Sequence, residues 1–328
     1  MDSSPQEASP PLLRVRGLDV TFVSPDGARV HAVDQLDLDV RRAERFALVG
    51  ESGCGKTTSI LALMGLLPGS AEVRGRIELD GARVLYGDEA QQRKNRWRDV
   101  AMVFQGAMNS LNPVQAIDKQ IAEPMIVHGV ADRRAARRRA AELLEMVGIP
   151  ARRAGAFPHE LSGGMRQRTA IAMALACNPK LLIADEPTTA LDPMVQAQIF
   201  EVLTRLVDEL GIALILVTHD LPVVMHLCDR AAVMYAGRMV ECAPVEQLYH
   251  EPAHPYTRLL IAASPDLRTR DAVNSIPGVP PRLDRPFGRC RFQDRCDRAF
   301  ARCLEGDPPL AAVGPDQLAA CWLHQDQS

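Results

Sequence analysis

The sequence has no apolar run long enough to cross a lipid bilayer, and we expect no secretion signal at its start. It also has no strong charge of either sign, because 38 Lys and Arg residues nearly balance 41 Asp and Glu residues. These absences argue against a membrane-spanning chain and against a nucleic-acid binder that depends on an overall basic field. Without a secretion signal, the eight cysteines are expected to be thiols or metal ligands rather than disulfides.

The length of 328 residues leaves room for two domains, one of them large, and the sequence shows no internal repeats. Residues 1–11 are rich in Ser, Pro and acidic residues and are expected to be a disordered lead-in. Residues 12–265 carry the apolar runs of a large folded domain. In 266–328 these runs disappear while proline and cysteine become frequent, so we predict a C-terminal extension there.

The stretch Gly50–Thr58 fits the phosphate-loop pattern G-x-x-x-x-G-K-[ST]. The apolar run Phe46–Val49 predicts a buried strand before it, and Thr58–Leu67 predicts a helix behind it. Glycines let successive N–H groups point at phosphate oxygens, and the helix N-terminus adds positive charge. Lys56 is expected against the outer phosphates and the Thr57 hydroxyl on Mg²⁺. The predicted nucleotide-binding residues of this loop are Gly50, Glu51, Ser52, Gly53, Cys54, Gly55, Lys56, Thr57 and Thr58.

Two kinds of strand pattern indicate two sheets. Alternating apolar residues around turn signals predict antiparallel hairpins, formed by Leu12–Phe22 with Val30–Val40 and by Val73–Leu79 with Ala82–Leu85. Continuous apolar runs predict a parallel sheet buried on both faces, formed by Leu181–Ala184, Ala213–Val217 and Ala231–Tyr235. A helical pattern at Val195–Leu210 lies between two of these runs, as in a βαβ unit. We therefore predict an α/β fold.

Two carboxylates, Asp185 and Glu186, follow the first buried run of the predicted parallel sheet. Asp185 is placed to hold Mg²⁺ directly or through water, and Glu186 to polarise the attacking water. A solvated loop start is the alternative for such a pair. The phosphate loop in the same chain favours the catalytic interpretation.

The predicted helix at Asp132–Val147 carries a cluster of basic residues, namely Arg133, Arg134, Arg137, Arg138 and Arg139. Such a cluster is compatible with a nucleic-acid contact or with a solvated helix face. No aromatic residues interleave it, and stacking aromatics are typical of single-strand binding surfaces. The solvated face is therefore the favoured interpretation.

Six motifs occur in the order typical of an ABC-type ATPase, namely Gly50–Thr58, Gln105, Leu161–Met165, Asp185 with Glu186, Asp192 and His219. From about Leu13 to Val245 the chain resembles that superfamily. The resemblance implies a P-loop NTPase core of the RecA-like type with an antiparallel β subdomain. It also implies a helical subdomain at about 106–176.

The resemblance implies roles for single residues. The signature residues Ser162, Gly163, Gly164 and Met165 would cap the γ-phosphate of ATP on the other subunit of a head-to-tail dimer, whose interface Asp192 would cross. Gln105 would contact Mg²⁺ and the membrane partner, and His219 the γ-phosphate. Phe22 falls where the family places an aromatic ring on adenine, although a lone residue of this type is also compatible with the core. The expected catalytic residues are Lys56, Gln105, Glu186 and His219.

Five longer segments of the sequence resemble the ATPase subunits of oligopeptide and dipeptide importers. This group also serves nickel and related solutes. These segments are Met102–Pro113, His159–Arg168, Ala184–Asp192, Val233–Gly237 and His254–Thr257. At Gly106 and Ala107 the chain departs from the Asp-Pro that is usual in this group. The resemblance covers nearly the whole chain.

That resemblance implies an ATP-hydrolysing subunit at the cytoplasmic face of the cell membrane, bound peripherally and without nucleic acid. Its partners would be a second ATPase subunit, identical or different, and two transmembrane permease subunits, with an extracytoplasmic solute-binding protein delivering peptides. Two alternatives stay open, namely an importer for nickel or another small solute, and an ATPase of a soluble enzyme assembly of the carbon–phosphorus lyase type. An ABC ATPase acting on DNA is disfavoured, because no heptads lie between the phosphate loop and the signature.

Four cysteines in the extension, Cys290, Cys296, Cys303 and Cys321, have the spacing C-x5-C-x6-C-x17-C. Unremarkable thiols, structural zinc and an iron–sulfur cluster are the three interpretations, and the close C-x₂₋₄-C pairs typical of zinc are missing. The extension resembles that of the peptide-importer ATPases, some of which carry a [4Fe–4S] cluster on matching cysteines, and this favours the cluster. Cys54 is a variable phosphate-loop position, and the remaining three, Cys177, Cys228 and Cys242, are expected to be core thiols.

Overall fold

The computed structural model describes residues 10–84, 88–106, 110–189, 191–264, 275–284 and 287–325. Its strands are β1 (Leu13–Val23), β2 (Arg29–Val40), β3 (Arg45–Val49), β4 (Ala71–Leu79), β5 (Ala82–Val84), β6 (Val100–Val103), β7 (Leu181–Asp185), β8 (Ala213–Thr218), β9 (Arg230–Tyr235), β10 (Arg238–Pro244), β11 (Ala311–Gly314) and β12 (Gln317–Ala319). Its α-helices are α1 (Lys56–Met64), α2 (Glu89–Asn95), α3 (Ile117–Val127), α4 (Arg133–Met146), α5 (Gly163–Ala174), α6 (Pro193–Leu210), α7 (Leu221–Leu227), α8 (Val245–His250) and α9 (Pro255–Ala262).

The first four strands outside the phosphate-loop region form an antiparallel sheet in the order β2-β1-β4-β5. The two predicted hairpins, β1 with β2 and β4 with β5, are confirmed. Strand β1 also pairs with β4, which joins the two hairpins into one sheet. The turn from β4 to β5 places Asp80 at φ 52° and Gly81 at φ 76°. Two successive left-handed residues are typical of the turns that match the twist of a hairpin.

The second sheet has eight strands in the order β11-β12-β10-β9-β3-β8-β7-β6. The five strands from β9 to β6 are parallel, which confirms the predicted α/β fold. Because β3 lies between β8 and β9, the loop that follows β3 leaves from the interior of the sheet. The loops after β6, β7 and β8 leave from the same edge.

The parallel sheet is buried on both faces, as its continuous apolar runs predict. In β3, Ala47 and Val49 belong to the core on the helical side, whereas Phe46 and Leu48 belong to the core that faces the antiparallel sheet. Side chains alternate between faces along a strand, so neither face can be polar.

The helices α3, α4 and α5 occupy the region predicted as a helical subdomain. In α4 the buried residues recur at helical spacing, namely Ala136, Ala140, Leu143 and Leu144. The arginines Arg133, Arg134, Arg137 and Arg138 are exposed on the opposite side. The helix therefore has one core face and one solvated basic face.

The helix predicted after the phosphate loop has different bounds in the structure, and α6 begins two residues before the predicted Val195. We predicted Thr58–Leu67 after the phosphate loop, but α1 begins at Lys56 and ends at Met64. Gly65 takes a left-handed conformation with φ 61° and donates its N–H to Ala62, which closes the last turn. The start was wrong because Lys56 and Thr57 already belong to the first helical turn.

The C-terminal extension is built onto the second sheet. Strand β12 pairs with β10, which places Ala319 opposite Glu241. Phe292 is 1% exposed, and its ring contacts the rings of Tyr235 and Tyr256 with centroid distances of 5.1 and 5.3 Å. The extension thus shares its core with the residues before it.

Several sequence expectations fall on residues outside those that the structure describes. They are the first nine residues of the lead-in, Leu85, Ala107, the predicted domain boundary at 265–266 and the segment up to 274. The division into domains stays a prediction. Within the described ranges, no helix combines the length and apolar composition needed to cross a membrane.

Candidate functional site

The phosphate loop runs from the end of β3 to the start of α1, against the neighbouring strands. Gly50 has φ 149° and Gly55 has φ 107°. A Cβ on Gly50 would lie 2.2 Å from the Met234 carbonyl oxygen, and one on Gly55 would lie 2.5 Å from that of Ala32. Both positions therefore require glycine for space as well as for conformation. The loop exposes Ser52, Gly53 and Thr57, half-buries Glu51 and Thr58, and buries Cys54, Gly55 and Lys56.

The Lys56 ammonium is directed into the loop. Its Nζ donates to the Gly50 carbonyl at 2.7 Å and to the Glu51 carbonyl at 3.0 Å, and it lies 3.7 Å from Cys54 Sγ. Lys56 is 6% exposed, and its charge is held by backbone oxygens rather than by a carboxylate. An ammonium held by backbone oxygens, with no carboxylate bonded to it, is available to an anionic ligand.

Asp185 lies at the end of β7, and its side chain contacts Thr57 in the first turn of α1. Thr57 Oγ1 donates to Asp185 Oδ1 at 3.5 Å, and Asp185 is 2% exposed. Burial raises the pKa of Asp185 to about 6, against the hydrogen bond from Thr57, and the Glu186 charge raises it further. A hydroxyl and a carboxylate side by side are the hard oxygen donors that Mg²⁺ prefers.

Glu186 contacts two other predicted catalytic residues, Gln105 and His219. Gln105 Nε2 donates to Glu186 Oε2 at 2.8 Å, and His219 Nδ1 lies 3.2 Å from Glu186 Oε1. Thr189 Oγ1 donates to the same carboxylate at 3.2 Å. Glu186 has φ 42°, an uncommon conformation for a residue with a side chain. Such strained positions cluster at functional sites.

The predicted signature and Asp192 form a second group around α5 and α6. Ser162 caps α5 by accepting from Met165 N at 3.3 Å, and Asp192 caps α6 by accepting from Val195 N at 3.0 Å. A Cβ on Gly164 would lie 2.7 Å from Val195 Cγ1, so α5 and α6 touch there. The half-buried Gly163 completes this group.

Phe22 lies near the end of β1, where it pairs with Val30 and Ala71. Its ring is partly buried against the core between the two sheets. One part of the ring is therefore packed and another reaches the surface. Its role in adenine stacking stays a prediction.

The four cysteines of the extension lie close to one another. Cys290 N donates to the Cys303 carbonyl at 2.9 Å. Burial raises the pKa of Cys290 to about 12 and that of Cys321 to about 11, and proximity to Cys303 raises both further. Burial, with Cys303 again, raises the pKa of Cys296. Among the described residues, however, no group of three or more His, Cys, Asp or Glu side chains is arranged to hold a metal ion. The four predicted iron–sulfur ligands therefore do not form a metal cage in the described part of the chain.

Cys177, Cys228 and Cys242 are buried, as expected of core thiols, and Cys54 in the phosphate loop is buried as well. Burial raises the pKa of Cys177 to about 11 and that of Cys228 to about 12. Such thiols are protonated and packed, as in a core.

The ABC transporter family profile matches residues 33–189, and the profile for the oligopeptide/dipeptide transporter C-terminal region matches residues 240–303. A probable peptide ABC transporter ATP-binding protein of Sinorhizobium fredii is 44% identical over 96% of both chains. The oligopeptide transport ATP-binding protein OppD of Bacillus subtilis is 42% identical over 96% of this chain and 90% of its own. The chain belongs to the ATP-binding subunits of the peptide ABC transporter family.

Solved structures agree with this ATP-binding cassette. A dimeric post-hydrolysis state of an ATP-binding cassette bound to ADP and phosphate has a TM-score of 0.63 and 28% identity, covering 71% of this chain and 98% of its own. The structure of cbiO1 from Clostridium perfringens, part of an ABC transporter complex, has a TM-score of 0.63 and 30% identity, covering 74% of this chain and 92% of its own. The predicted P-loop ABC fold is confirmed.

Sequence reasoning missed the residues that fasten the phosphate loop of this cassette from outside. Tyr256 accepts from the Glu51 N–H at 2.9 Å, and Arg295 pairs with the Glu51 carboxylate. Tyr256 stands in the His254–Thr257 stretch, but its spacing carries no hint of a contact made 205 residues away. Thr189 was likewise missed, although it follows Glu186 by three positions.

Proposed function

We propose that this chain binds and hydrolyses ATP, and that it thereby powers peptide import through membrane permease subunits. The observation that carries the proposal is the arrangement around Glu186, beside the phosphate loop and the Thr57–Asp185 pair. Family membership supports peptide transport as the process that ATP hydrolysis drives, because the relatives are named as peptide transport ATP-binding proteins. The proposed location is peripheral, at the cytoplasmic face of the cell membrane.

The proposed ATP contacts follow from the positions of the residues. Lys56 and the loop N–H groups bind the phosphates, and Phe22 stacks on adenine. Thr57, Asp185 and Gln105 would hold Mg²⁺, which when bound neutralises charge on the phosphate oxygens. Oxygen donors on Thr57 and Asp185 lie side by side, which suits that ion.

Glu186 is the proposed general base. A carboxylate that accepts from Gln105 and Thr189 is held in one orientation, so it can take a proton from a water molecule directed at the γ-phosphate. His219 lies against the other carboxylate oxygen, where it can also donate to the γ-phosphate. Because the folded chain already holds these side chains in place, the reaction avoids the entropy loss of bringing them together.

The signature group would act on a second subunit, identical or different. Ser162, Gly163, Gly164 and Met165 would cap ATP that is bound to the partner, and Asp192 would cross the interface. The N-terminus of α5 brings backbone N–H groups to an anion. ATP would hold two subunits together, and loss of the γ-phosphate contacts would release them. The dimeric cassette structure supports this proposal by analogy.

We also propose that Cys290, Cys296, Cys303 and Cys321 hold a [4Fe–4S] cluster, with zinc as the alternative metal. Four thiolates are the donor set that such a cluster takes. The backbone contact between Cys290 and Cys303, and the occurrence of all four cysteines in one extension, support the proposal. Bound metal would replace the protons that burial keeps on Cys290, Cys296 and Cys321.

The catalytic assignment is tested with Glu186→Gln, matched by Glu201→Gln, which changes an exposed carboxylate on α6. We expect Glu186→Gln to keep ATP affinity, to lower turnover about a hundredfold or more, and to trap a dimer seen by gel filtration. The control should hydrolyse ATP like the unaltered chain. Turnover near that of the unaltered chain in Glu186→Gln would remove Glu186 from this role.

The transport assignment needs the partners. Gentle detergent extraction of the tagged chain, followed by mass spectrometry, should recover two multi-span permeases and a second ATPase subunit. Cells that carry Glu186→Gln should lose uptake of a labelled dipeptide while nickel uptake is unchanged. Recovery of soluble enzymes, or loss of nickel uptake alone, would contradict peptide import.

A further inference from the structure

Arg295 of the C-terminal extension forms a two-pronged ion pair with Glu51 of the phosphate loop. Its Nη1 lies 2.6 Å from Glu51 Oε2 and its Nη2 lies 2.9 Å from Glu51 Oε1. The Arg295 side chain is 3% exposed and that of Glu51 is 25% exposed. Parallel N–H···O bonds to both carboxylate oxygens fix orientation as well as distance. The extension therefore grips the second residue of the phosphate-loop motif.

The guanidinium is itself held on the other side. Arg295 Nε donates to the Pro277 carbonyl at 2.8 Å, and Nη1 donates to the Tyr235 hydroxyl at 3.3 Å. The guanidinium carbon lies 5.6 Å from the Tyr235 ring centroid and 5.9 Å from that of Phe292. These contacts leave the guanidinium one position, so it can act as a rigid anchor for Glu51.

Glu51 transmits that anchoring to the catalytic lysine through its backbone. Its carbonyl accepts from Lys56 Nζ at 3.0 Å and from the Cys54 N–H at 3.3 Å. Its N–H donates to the Tyr256 hydroxyl at 2.9 Å. A displacement of the Glu51 side chain therefore displaces an oxygen that holds the Lys56 ammonium.

We propose that Arg295 is a positioning residue for ATP binding, acting through Glu51 to hold the phosphate loop in the shape that presents Lys56. The C-terminal extension is then part of the nucleotide site and more than an attachment to the cassette. The loop contacts phosphate oxygens before and during hydrolysis, so its misplacement weakens ground-state and transition-state binding alike. The expected signature is a raised KM for ATP with little change in kcat.

The alternative is that Arg295 only docks the extension onto the cassette. Arg291 offers a matched comparison, because it is also buried in the extension and is 7% exposed. It bonds Asp307 at 2.7 Å, the Ala236 carbonyl at 2.6 Å and also Asp34, none of which belongs to the phosphate loop. If docking alone mattered, Arg291→Met and Arg295→Met would affect the ATP site equally.

The experiment measures ATP affinity, KM, kcat and thermal midpoint of the full chain with Arg295→Met, Arg295→Lys and Arg291→Met. We expect Arg295→Met to raise KM and the dissociation constant about fivefold or more with kcat within about twofold, and Arg295→Lys to lie between it and the unaltered chain. We expect Arg291→Met to lower the thermal midpoint comparably while KM stays within about twofold. Equal KM values for Arg295→Met and Arg291→Met, or a KM of Arg295→Met near that of the unaltered chain, would overturn the proposal.

A second route remains if Arg295→Met does not fold. Glu51→Gln removes the carboxylate charge at the other end of the pair, and the double variant with Arg295→Lys reports the coupling between the two positions. We expect the two changes together to raise KM by clearly less than the product of their separate effects, and independent effects would overturn the proposal. The inference rests on the proposed ATP binding, but the two fail differently. An unaltered chain that binds no ATP contradicts the function, whereas normal ATP binding by both the unaltered chain and Arg295→Met contradicts only the inference.

Discussion

Gln105 Nε2 donates a 2.8 Å hydrogen bond to Glu186 Oε2, although 81 positions separate the two residues. Gln105 follows β6 and Glu186 follows β7, and these strands are parallel neighbours. The carboxyl ends of parallel strands meet at one edge of a sheet, which brings the two side chains together. The pair links the loop expected at the permease contact to the expected general base.

Replacing Gln105 by Ala should lower the rate of ATP hydrolysis. A hydrogen bond to a charged group contributes about 1.5–3 kcal/mol, so loss of orientation of Glu186 should reduce kcat by about ten- to a hundredfold. Steady-state hydrolysis at saturating ATP measures the change. Gln115→Ala is the control for a glutamine in the neighbouring region. An unchanged kcat for Gln105→Ala would contradict both the orienting role of Gln105 and its proposed contact with Mg²⁺.

Gly164→Ala should destabilise the fold through one contact. The added Cβ would lie 2.7 Å from Val195 Cγ1, and overpacking of this kind costs about 1–3 kcal/mol. The double variant with Val195→Ala should recover most of the loss, because it removes the atom that clashes. Urea unfolding measures both. Gly155→Ala, which meets no atom within 4 Å, is the control, and a double variant no more stable than Gly164→Ala would contradict the prediction.

The cysteine cluster makes a spectroscopic prediction. Chain purified without oxygen should show broad visible absorption, and Cys290→Ser should reduce it because one of four ligands is lost. Cys177→Ser changes a buried thiol outside the extension and should leave the absorption unchanged. A colourless preparation that holds stoichiometric zinc would replace the cluster by zinc, and one without metal would leave four unliganded thiols.

His254 predicts a pH dependence of stability. Burial lowers its pKa from 6.5 to about 3, and the His324 charge lowers it further. Its Nδ1 accepts from the Tyr256 N–H at 3.0 Å, so the folded ring is neutral. Below pH 6.5 His254 binds a proton in the unfolded chain but not in the folded chain. The contribution is therefore complete above pH 6.5 and is lost as the pH falls toward 3.

The measurement is the urea midpoint at several pH values for the unaltered chain and His254→Asn. Asn keeps an acceptor for the Tyr256 N–H but does not titrate. We expect the unaltered chain to lose up to about 1.4 kcal/mol more per pH unit below pH 6.5 than the variant. Parallel pH profiles would show that His254 is protonated in the folded state.

The local parts of the site were predictable because their information is contiguous. The phosphate loop needs glycine at Gly50 and Gly55 for its tight path, and an apolar strand and a helix must flank it. Ser162 and Asp192, expected as signature and interface residues, also cap helices, and each accepts from an N–H only three positions along the chain. The α/β sheet followed from apolar runs such as β7 and β8, which only a doubly covered sheet can bury.

Only the tertiary structure decided which distant residues meet. Arg295 reaches Glu51 across 244 positions, and nothing in the spacing of either residue encodes that contact. It exists because the extension adds β12 beside β10 and packs Phe292 against Tyr235. Periodicity specifies which face of an element is buried, whereas strand order and packing of the core specify its neighbour. The phosphate loop can therefore be predicted from the sequence, whereas its contacts with the C-terminal extension cannot.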